Sequence, residues 1–466
     1  MEYRIEHDLL GEKEVPADAY YGIHALRAAE NFFLAGRPLH PQLIIALGAV
    51  KKAAALANQA AGLLEAGIAQ AIAAACEEIM AGQWQEQFIV DALQGGAGTS
   101  ANMNADEVIA NRALELSGCA KGEYSVIHPL NHVNMSQSTN DVFPTAVRIA
   151  ALRLSKAASE AMAELQTVLQ QKEAEFAGVI KLGRTELQDA LPVMLGQEFG
   201  AYAQAIARDR WRIYKMEERL RQVNLGGTAV GTGLNAERSY IFAVIERLRE
   251  ITGLGLARAE YMMDPTQNND VFVEVSGMLK AAAVNLAKIA GDLRLLSAGP
   301  GGGFGEIRLP ERQAGSSIMP GKINPVIPEA VRQAAYQIIA HDQAVTLGAQ
   351  AGELELNAML PLIADNLLTS LDLLARSARL FTDGCIRGIT ANAAHCREMV
   401  EKSPGLATAL VPHIGYDKAT AVARKAQAEG KTIRQAALEC GFLKNEDLIR
   451  ILDPYQLTKP GIAGKK

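Results

Sequence analysis

Between Gly299 and Glu329 the chain reads GPGGGFGEIRLPERQAGSSIMPGKINPVIPE. Three glycines, Gly301 to Gly303, give way to Gly315-Ser316-Ser317, then to Lys322 and Asn324. Glycine and proline at this density describe a loop, and one able to move. A serine pair, a lysine and an asparagine gathered just ahead of a helical pattern are the residue types of a reactive site. Gly315 to Gly321-Lys322 also invites a reading as a phosphate-binding loop, which the spacing excludes. Five residues separate the glycines instead of four, and Ile323 follows the lysine where Ser or Thr would meet magnesium. No strand is expected before it either.

Three further polar motifs share one geometry with this loop. Gly98-Thr99-Ser100, Gln137-Ser138-Thr139-Asn140-Asp141 and Gly183-Arg184-Thr185-Glu186-Leu187-Gln188 each precede a helical pattern. Thr185 and Gln188 have capping-box spacing, so a helix is expected to open at 186. Asn324 reads as an N-cap and Pro325 as a first helical residue. Taken singly, each motif is an ordinary cap. Taken together, several helix N-termini offer unsatisfied N–H groups and partial positive charge, which suits an anion. Ser, Thr and Asn add donors without charge, and Lys322 adds one full positive charge. A small dicarboxylate is the ligand such a cluster fits.

The elements that must hold these motifs are helices. Residues 41–60, 67–81 and 100–117 carry helical patterns, while 119–137 are irregular. Residues 145–177 contain no Gly or Pro and repeat apolar residues at intervals of three and four, from Val147 and Ala151 to Leu165 and Leu169. At 1.5 Å per residue that helix is roughly 50 Å long. Others are expected over 186–224, 269–298, 325–348 and 356–382, with short ones at 404–410, 417–429, 432–440 and 445–451. Helices this long cannot bury their faces in a small globule, so a bundle that includes other subunits is expected. The fold class is all-α. An N-terminal, mostly helical part spans 1–138, a central long-helix bundle carrying the loop spans 139–392, and a small C-terminal helical part spans 393–466.

Composition narrows the function further. Apolar residues make up 49% and charged residues 21%, as in ordinary globular chains. A net charge of -6 gives no general attraction for nucleic acid or an anionic membrane. The start, MEYRIEHDLLGEKE, has no apolar run and is not a secretory signal. The most apolar stretch, Leu43 to Leu64, is interrupted by Lys51-Lys52, Asn58 and Gln59, which is too polar for a membrane span. The five cysteines are scattered without a CxxC, so no disulfide framework is expected and a reduced, cytoplasmic setting is the simplest reading. No metal and no cofactor are expected.

The eleven residues from Gly315 to Pro325 resemble the signature of the aspartase/fumarase superfamily. His132 to Asp141, Gln94 to Thr99 and Gly183 to Thr185 match its other motifs in the same order, over essentially the whole chain. Thr139 and Val326, where fumarases typically have Ser and Thr, lean to the aspartase branch, as do Tyr20-Tyr21-Gly22 and the ending Pro460 to Gly464. The resemblance implies a three-domain helical subunit, a homotetramer on a central bundle, and active sites assembled from different subunits. It implies reversible elimination of ammonia from L-aspartate to give fumarate.

On that resemblance Ser316 is the base that takes the C3 proton, leaving an aci-carboxylate. Lys322 and Asn324 hold the α-carboxylate; Thr99, Ser138 and Thr139 hold the β-carboxylate; Asn140 and Thr185 lie near the amino group. Ser317 reads as a turn residue and His132 as structural. Glu186 departs from the pattern, since relatives commonly carry His or Gln there. It is expected to meet the substrate ammonium, or else to share a proton with Glu329. Gly301-Gly302 and Leu360 also depart, where aspartases have an Arg-containing pattern and often Glu. Elimination from an N-substituted aspartate therefore stays open beside L-aspartate, with fumarase chemistry behind it. A structural bundle protein derived from the family is the non-enzyme alternative.

Overall fold

Charged and apolar residues alternate at the start of the chain, and they make a hairpin: β1 (Tyr3–Asp8) pairs antiparallel with β2 (Gly11–Pro16). The computed structural model describes residues 2–465. After the hairpin come α1 (Ile23–Asn31), α2 (Pro41–Ala60), α3 (Ala66–Met80) and α4 (Thr99–Leu116). Pro41 takes the first turn of α2, where its missing N–H costs nothing, and the His40 ring accepts from the Gln42 N–H. Glu65 caps α3 by accepting from the N–H groups of Gly67 and Ile68. By length and composition α2 could cross a membrane, at mean hydropathy 1.2. However, 72% of that window is buried inside the chain. Lys51 in its middle pairs with Asp106 at 2.7 Å, both side chains fully buried. It is a core helix.

The long helices begin with α5 (Thr139–Glu175), 37 residues and about 55 Å. It starts at the polar motif, as expected, and tolerates Pro144 near its start. The next element overturns an expectation. No helix opens at 186: β3 (Ile180–Thr185) and β4 (Gln188–Met194) form an antiparallel hairpin, and α6 (Leu195–Leu220) starts only after it. Thr185 and Gln188 are cross-strand partners, not a capping box. Glu186 and Leu187 form the two-residue turn, at φ 53° and 62°. A turn with both central residues at positive φ matches the twist of the strands it joins. The contrary signal was Pro192, which a helix interior would not accept. Gly183 sits at the irregular point of the ladder, where a Cβ would stand 2.5 Å from the Leu191 carbonyl oxygen.

Then come β5 (Gln222–Val223), α7 (Arg238–Thr252), β6 (Ala257–Arg258), α8 (Met263–Gln267) and α9 (Asp270–Leu296). A short strand, β7 (Ile307–Arg308), precedes the serine-bearing loop where none was expected. Next are α10 (Val326–Gln350), which starts one residue later than Asn324-Pro325 suggested, α11 (Leu360–Gly384), and β8 (Thr390–Ala391), the partner of β7. Six short helices close the chain: α12 (Ala393–Lys402), α13 (Val411–Ile414), α14 (Tyr416–Glu429), α15 (Ile433–Cys440), α16 (Asn445–Ile451) and α17 (Pro454–Leu457). Helix takes 62% of the residues, and the strands form only two-stranded pairs, so the class is all-α.

The chain forms two compact units. One consists of Met1–Glu160, Arg210–Val284 and Ala334–Arg376; the other of Ala161–Asp209, Asn285–Gln333 and Ser377–Lys466. In the second, Ile180 and Leu182 of β3 join Leu410, Val422, Ile433 and Leu448 in one apolar core. That packing seats the base of the hairpin and leaves its tip exposed.

Candidate active site

The first unit carries Thr99, Ser138, Thr139 and Asn140. Gly98, at φ 95°, brings Thr99 against α5: a Cβ there would stand 2.5 Å from the Phe143 ring, one turn past Thr139. Gln94 closes the same loop, donating to the Asp91 carbonyl (2.7 Å) and accepting from the Ala101 N–H (2.9 Å). Thr99 is exposed and donates to the Gly96 carbonyl at 2.7 Å. Ser138 Oγ accepts from the Asn140 N–H at 3.2 Å. The Asn140 amide donates to the Ala229 carbonyl at 2.8 Å, and Asn224 donates to the Asn140 carbonyl at 3.0 Å.

A buried polar network lies behind these motifs. Lys51 Nζ lies 2.7 Å from Asp106 Oδ1 and donates to Asn134 Oδ1 at 2.8 Å, while Asn102 donates to both Asp106 and Asn134. Periodicity gave no sign of it. Thr99 also lines a cleft of about 270 Å³ with His24 and Arg27, which the sequence reading passed over. Arg27 is held by Asp8 at 2.8 Å. Burial acts to lower the His24 pKa, but the Glu107 carboxylate at 3.0 Å outweighs it and the ring titrates above its usual value.

Asp141 anchors the start of α5. Its carboxylate accepts from the N–H groups of Ser138, Gly226 and Thr228, each at 3.0 Å, and among the described residues no cation touches it. Burial pushes its pKa up to about 6, and the three donors do not cancel that. A carboxyl whose folded pKa lies above the unfolded 3.8 keeps its proton longer when folded. Its contribution to stability is therefore full below the unfolded value and is lost as pH rises through about 6. Asp141→Asn removes that dependence. Between about pH 4 and 7 the melting temperature of the parent is expected to fall relative to that of the variant. Parallel curves would count against a buried, unpaired carboxylate.

The second unit carries Thr185, Glu186, Ser316, Lys322 and Asn324. The stretch ahead of the loop is tied at its base by Gly305 N–H to the Ala298 carbonyl and Glu306 N–H to the Leu296 carbonyl, both 2.9 Å. Within the loop, the Gly315 N–H donates to the Lys322 carbonyl (2.7 Å) and the Asn324 amide donates to the Gly315 carbonyl (2.8 Å). Ser316, Lys322 and Asn324 are thus drawn into one closed turn. Ser316 Oγ accepts from the N–H groups of Ile318 (3.2 Å) and Met319 (3.0 Å). Lys322 and Ser317 are exposed. Lys322 and Asn324 face a cleft of about 1180 Å³ shared with Arg294, Glu329, Arg332 and His395.

Thr185 and Glu186 stand exposed at the hairpin tip. Glu329 pairs with Arg294 at 3.3 Å, and among the described residues no contact joins it to Glu186 within the chain. His132, read as structural, forms with His128 the one HxxxH spacing in the sequence, and no metal was expected from it. The His132 ring accepts from the His128 N–H, and the His128 ring accepts from the Leu130 and Asn131 N–H groups, so both rings brace one turn. Among the described residues no group of three or more His, Cys, Asp or Glu is placed to hold a metal ion.

This arrangement suits acid–base chemistry on a small anion. Each unit presents oxygen and nitrogen donors at loops and helix starts, and in the second one hydroxyl is held by two N–H groups on a loop that also carries an exposed lysine.

Residues 11–340 match the lyase family, and residues 406–459 match the fumarase C C-terminus. Aspartate ammonia-lyase of Bacillus subtilis (strain 168) is 52% identical over 465 residues, covering 100% of this chain and 98% of that protein. The Pseudomonas aeruginosa aspartate ammonia-lyase is 51% identical over 98% of this chain and 97% of that protein. A crystal structure titled fumarate lyase:delta crystallin from Brucella melitensis, bound to cobalt, superposes with a TM-score of 0.95 at 49% identity. It covers 98% of this chain and 100% of that one. Recombinant class II fumarase from Schistosoma mansoni gives 0.92 at 34% identity, over 98% and 100%. Matched along its whole length and carrying the motifs on the loop, the hairpin and the start of α5, the chain belongs to the aspartase/fumarase superfamily.

Proposed function

We infer that this chain is a carbon–nitrogen lyase that removes ammonia from L-aspartate to give fumarate. The observation that carries this reading is full-length identity of 44–52% to aspartate ammonia-lyases. The hard step is removal of a weakly acidic proton from C3, beside a carboxylate. The resulting carbanion is tolerable only as an aci-carboxylate with two negative charges on one carboxyl group, so fixed donors aimed there are the main catalytic device. Thr99 at the start of α4, with Ser138 and Thr139 at the start of α5, takes that role without adding charge. Lys322 and Asn324 hold the α-carboxylate from the loop.

Ser316 takes the C3 proton. A serine hydroxyl is a poor base until it is deprotonated. The N–H groups of Ile318 and Met319 point at its oxygen and would stabilise the alkoxide. The loop closes over substrate and excludes water. Asn140 and Thr185 lie toward the departing nitrogen. The chain works as a homotetramer in the cytoplasm, with each site completed by neighbouring subunits. Exposed Trp211 and Tyr214 on α6, Val284 on α9 and Leu347 on α10 supply apolar surface for that assembly.

Fumarate absorbs ultraviolet light through its conjugated double bond. L-aspartate is expected to produce that absorbance, L-malate is not, and a light-scattering mass should correspond to four chains. No signal from an intact tetramer would sink the lyase reading. Glu186 supports a second substrate beside the first, because a carboxylate at an exposed tip can meet an ammonium or a substituted amine. Glu186→Gln is expected to raise KM for L-aspartate about tenfold, the scale of one lost charge-assisted hydrogen bond. Unchanged KM, pH profile and amine preference would remove Glu186 from the site.

A further inference from the structure

Glu306 is fully buried at the point where the glycine-rich stretch closes and the serine-bearing loop begins, yet the mechanism above gives it no part. Its Oε1 accepts from Arg184 Nη1 at 2.8 Å, and its Oε2 lies 3.1 Å from Lys181 Nζ. Lys181 reaches on to Glu198 at 2.7 Å. Arg184 immediately precedes Thr185 and Glu186, and its guanidinium also lies over the Phe304 ring, 4.1 Å from the centroid. The Glu306 backbone is held as well, donating to the Leu296 carbonyl (2.9 Å) and accepting from the Asn392 N–H (2.8 Å). Two cations balance two carboxylates, and Glu306 is the member that touches both cations.

We propose that Glu306 is a positioning residue for the elimination, fixing through Arg184 the hairpin tip that bears Thr185 and Glu186 relative to the stem of the loop that bears Ser316. Stability alone does not call for ions here, because well-packed apolar groups commonly replace a buried ion pair without loss. What the pair supplies is direction. A planar guanidinium clamped between a carboxylate and a ring face has one orientation, and the next residue along the strand inherits it. Both segments therefore keep one mutual geometry. The proposal rests on the lyase reading, since it concerns the same site.

Glu306→Gln keeps the shape and removes the charge. Its kcat is expected to fall about 10²-fold, the scale of an ångström's misplacement, while KM for L-aspartate moves less than about threefold. The isotope effect from C3-deuterated aspartate is expected to rise, because proton abstraction becomes the slow step. Arg184→Lys should lie between parent and Glu306→Gln, and the double variant should be no worse than Glu306→Gln alone, as for two partners in one contact. Parent-like kcat and isotope effect, or losses that multiply in the double variant, overturn the proposal, whatever happens to the melting temperature.

Should Glu306→Gln not fold, Phe304→Leu leaves all four charges in place. It is expected to lower kcat about tenfold by removing the ring under Arg184, and parent-like turnover there also overturns the proposal. A parent enzyme that yields no fumarate from L-aspartate overturns the lyase reading itself, and the positioning role with it.

Discussion

Ser316→Ala is expected to lower kcat about 10³-fold, within the 10² to 10⁴ that a positioned acid–base group contributes, while the dicarboxylate still binds. That is about 4 kcal/mol of barrier. The substitution removes only the oxygen. Ser316 is half-buried in a loop whose closure depends on the Gly315, Lys322 and Asn324 contacts, and none of these uses the serine side chain. The Ile318 and Met319 N–H groups turn to water, so little stability is lost. Turnover is read from fumarate absorbance, and binding from titration with a saturated dicarboxylate that cannot react. Parent-like turnover would exclude Ser316 as base. Loss of binding together with turnover would make it a binding residue instead.

Lys51→Met should cost about 3–5 kcal/mol of stability, the usual penalty for stranding one member of a buried ion pair. Lys51 and Asp106 are both fully buried, so no water can replace the lost cation. Asn134 loses a donor at the same time, and with it the segment that leads into Ser138 and Thr139. A lower denaturant midpoint reports the first effect. The test of mechanism is the double variant Lys51→Met/Asp106→Leu, which removes both charges and is expected to recover most of the loss. A double variant as unstable as the single one would show that the lysine stem, and not its charge, holds α2 in the core.

The long helices were legible because burial of one face imposes a period, and that period survives in residues such as Leu286, Ile289 and Leu293 of α9. The serine-bearing loop was legible because glycine and proline punctuate it. The hairpin was not. Thr185 and Gln188 stand three apart, and that spacing serves a capping box and a two-residue turn equally. The turn itself uses Glu186 and Leu187 at positive φ, where Asn-Gly would have announced it. Pro192 was the available counter-signal. Buried charge was equally hidden. Lys51 interrupts an apolar stretch, and Glu306 sits in a glycine-rich string between Phe304 and Ile307, with nothing beside either to mark a buried charge. Pairing across elements decides both, and one-dimensional spacing carries no record of the partner.

The two N–H groups that meet Ser316 Oγ set a count of electron pairs. A hydroxyl oxygen has two lone pairs, and here both are engaged, by Ile318 and Met319. The neutral serine has no pair left with which to receive a proton from C3, and its own hydrogen must occupy the one remaining direction. Losing that hydrogen opens a third pair in the direction it vacated. At any instant the atom can only give or only take. For the proposed base, whether one oxygen enters the cycle with its hydrogen or without it therefore decides which of the two reactants, the amine or the alkene, a given molecule can begin with, while their concentrations set the net direction.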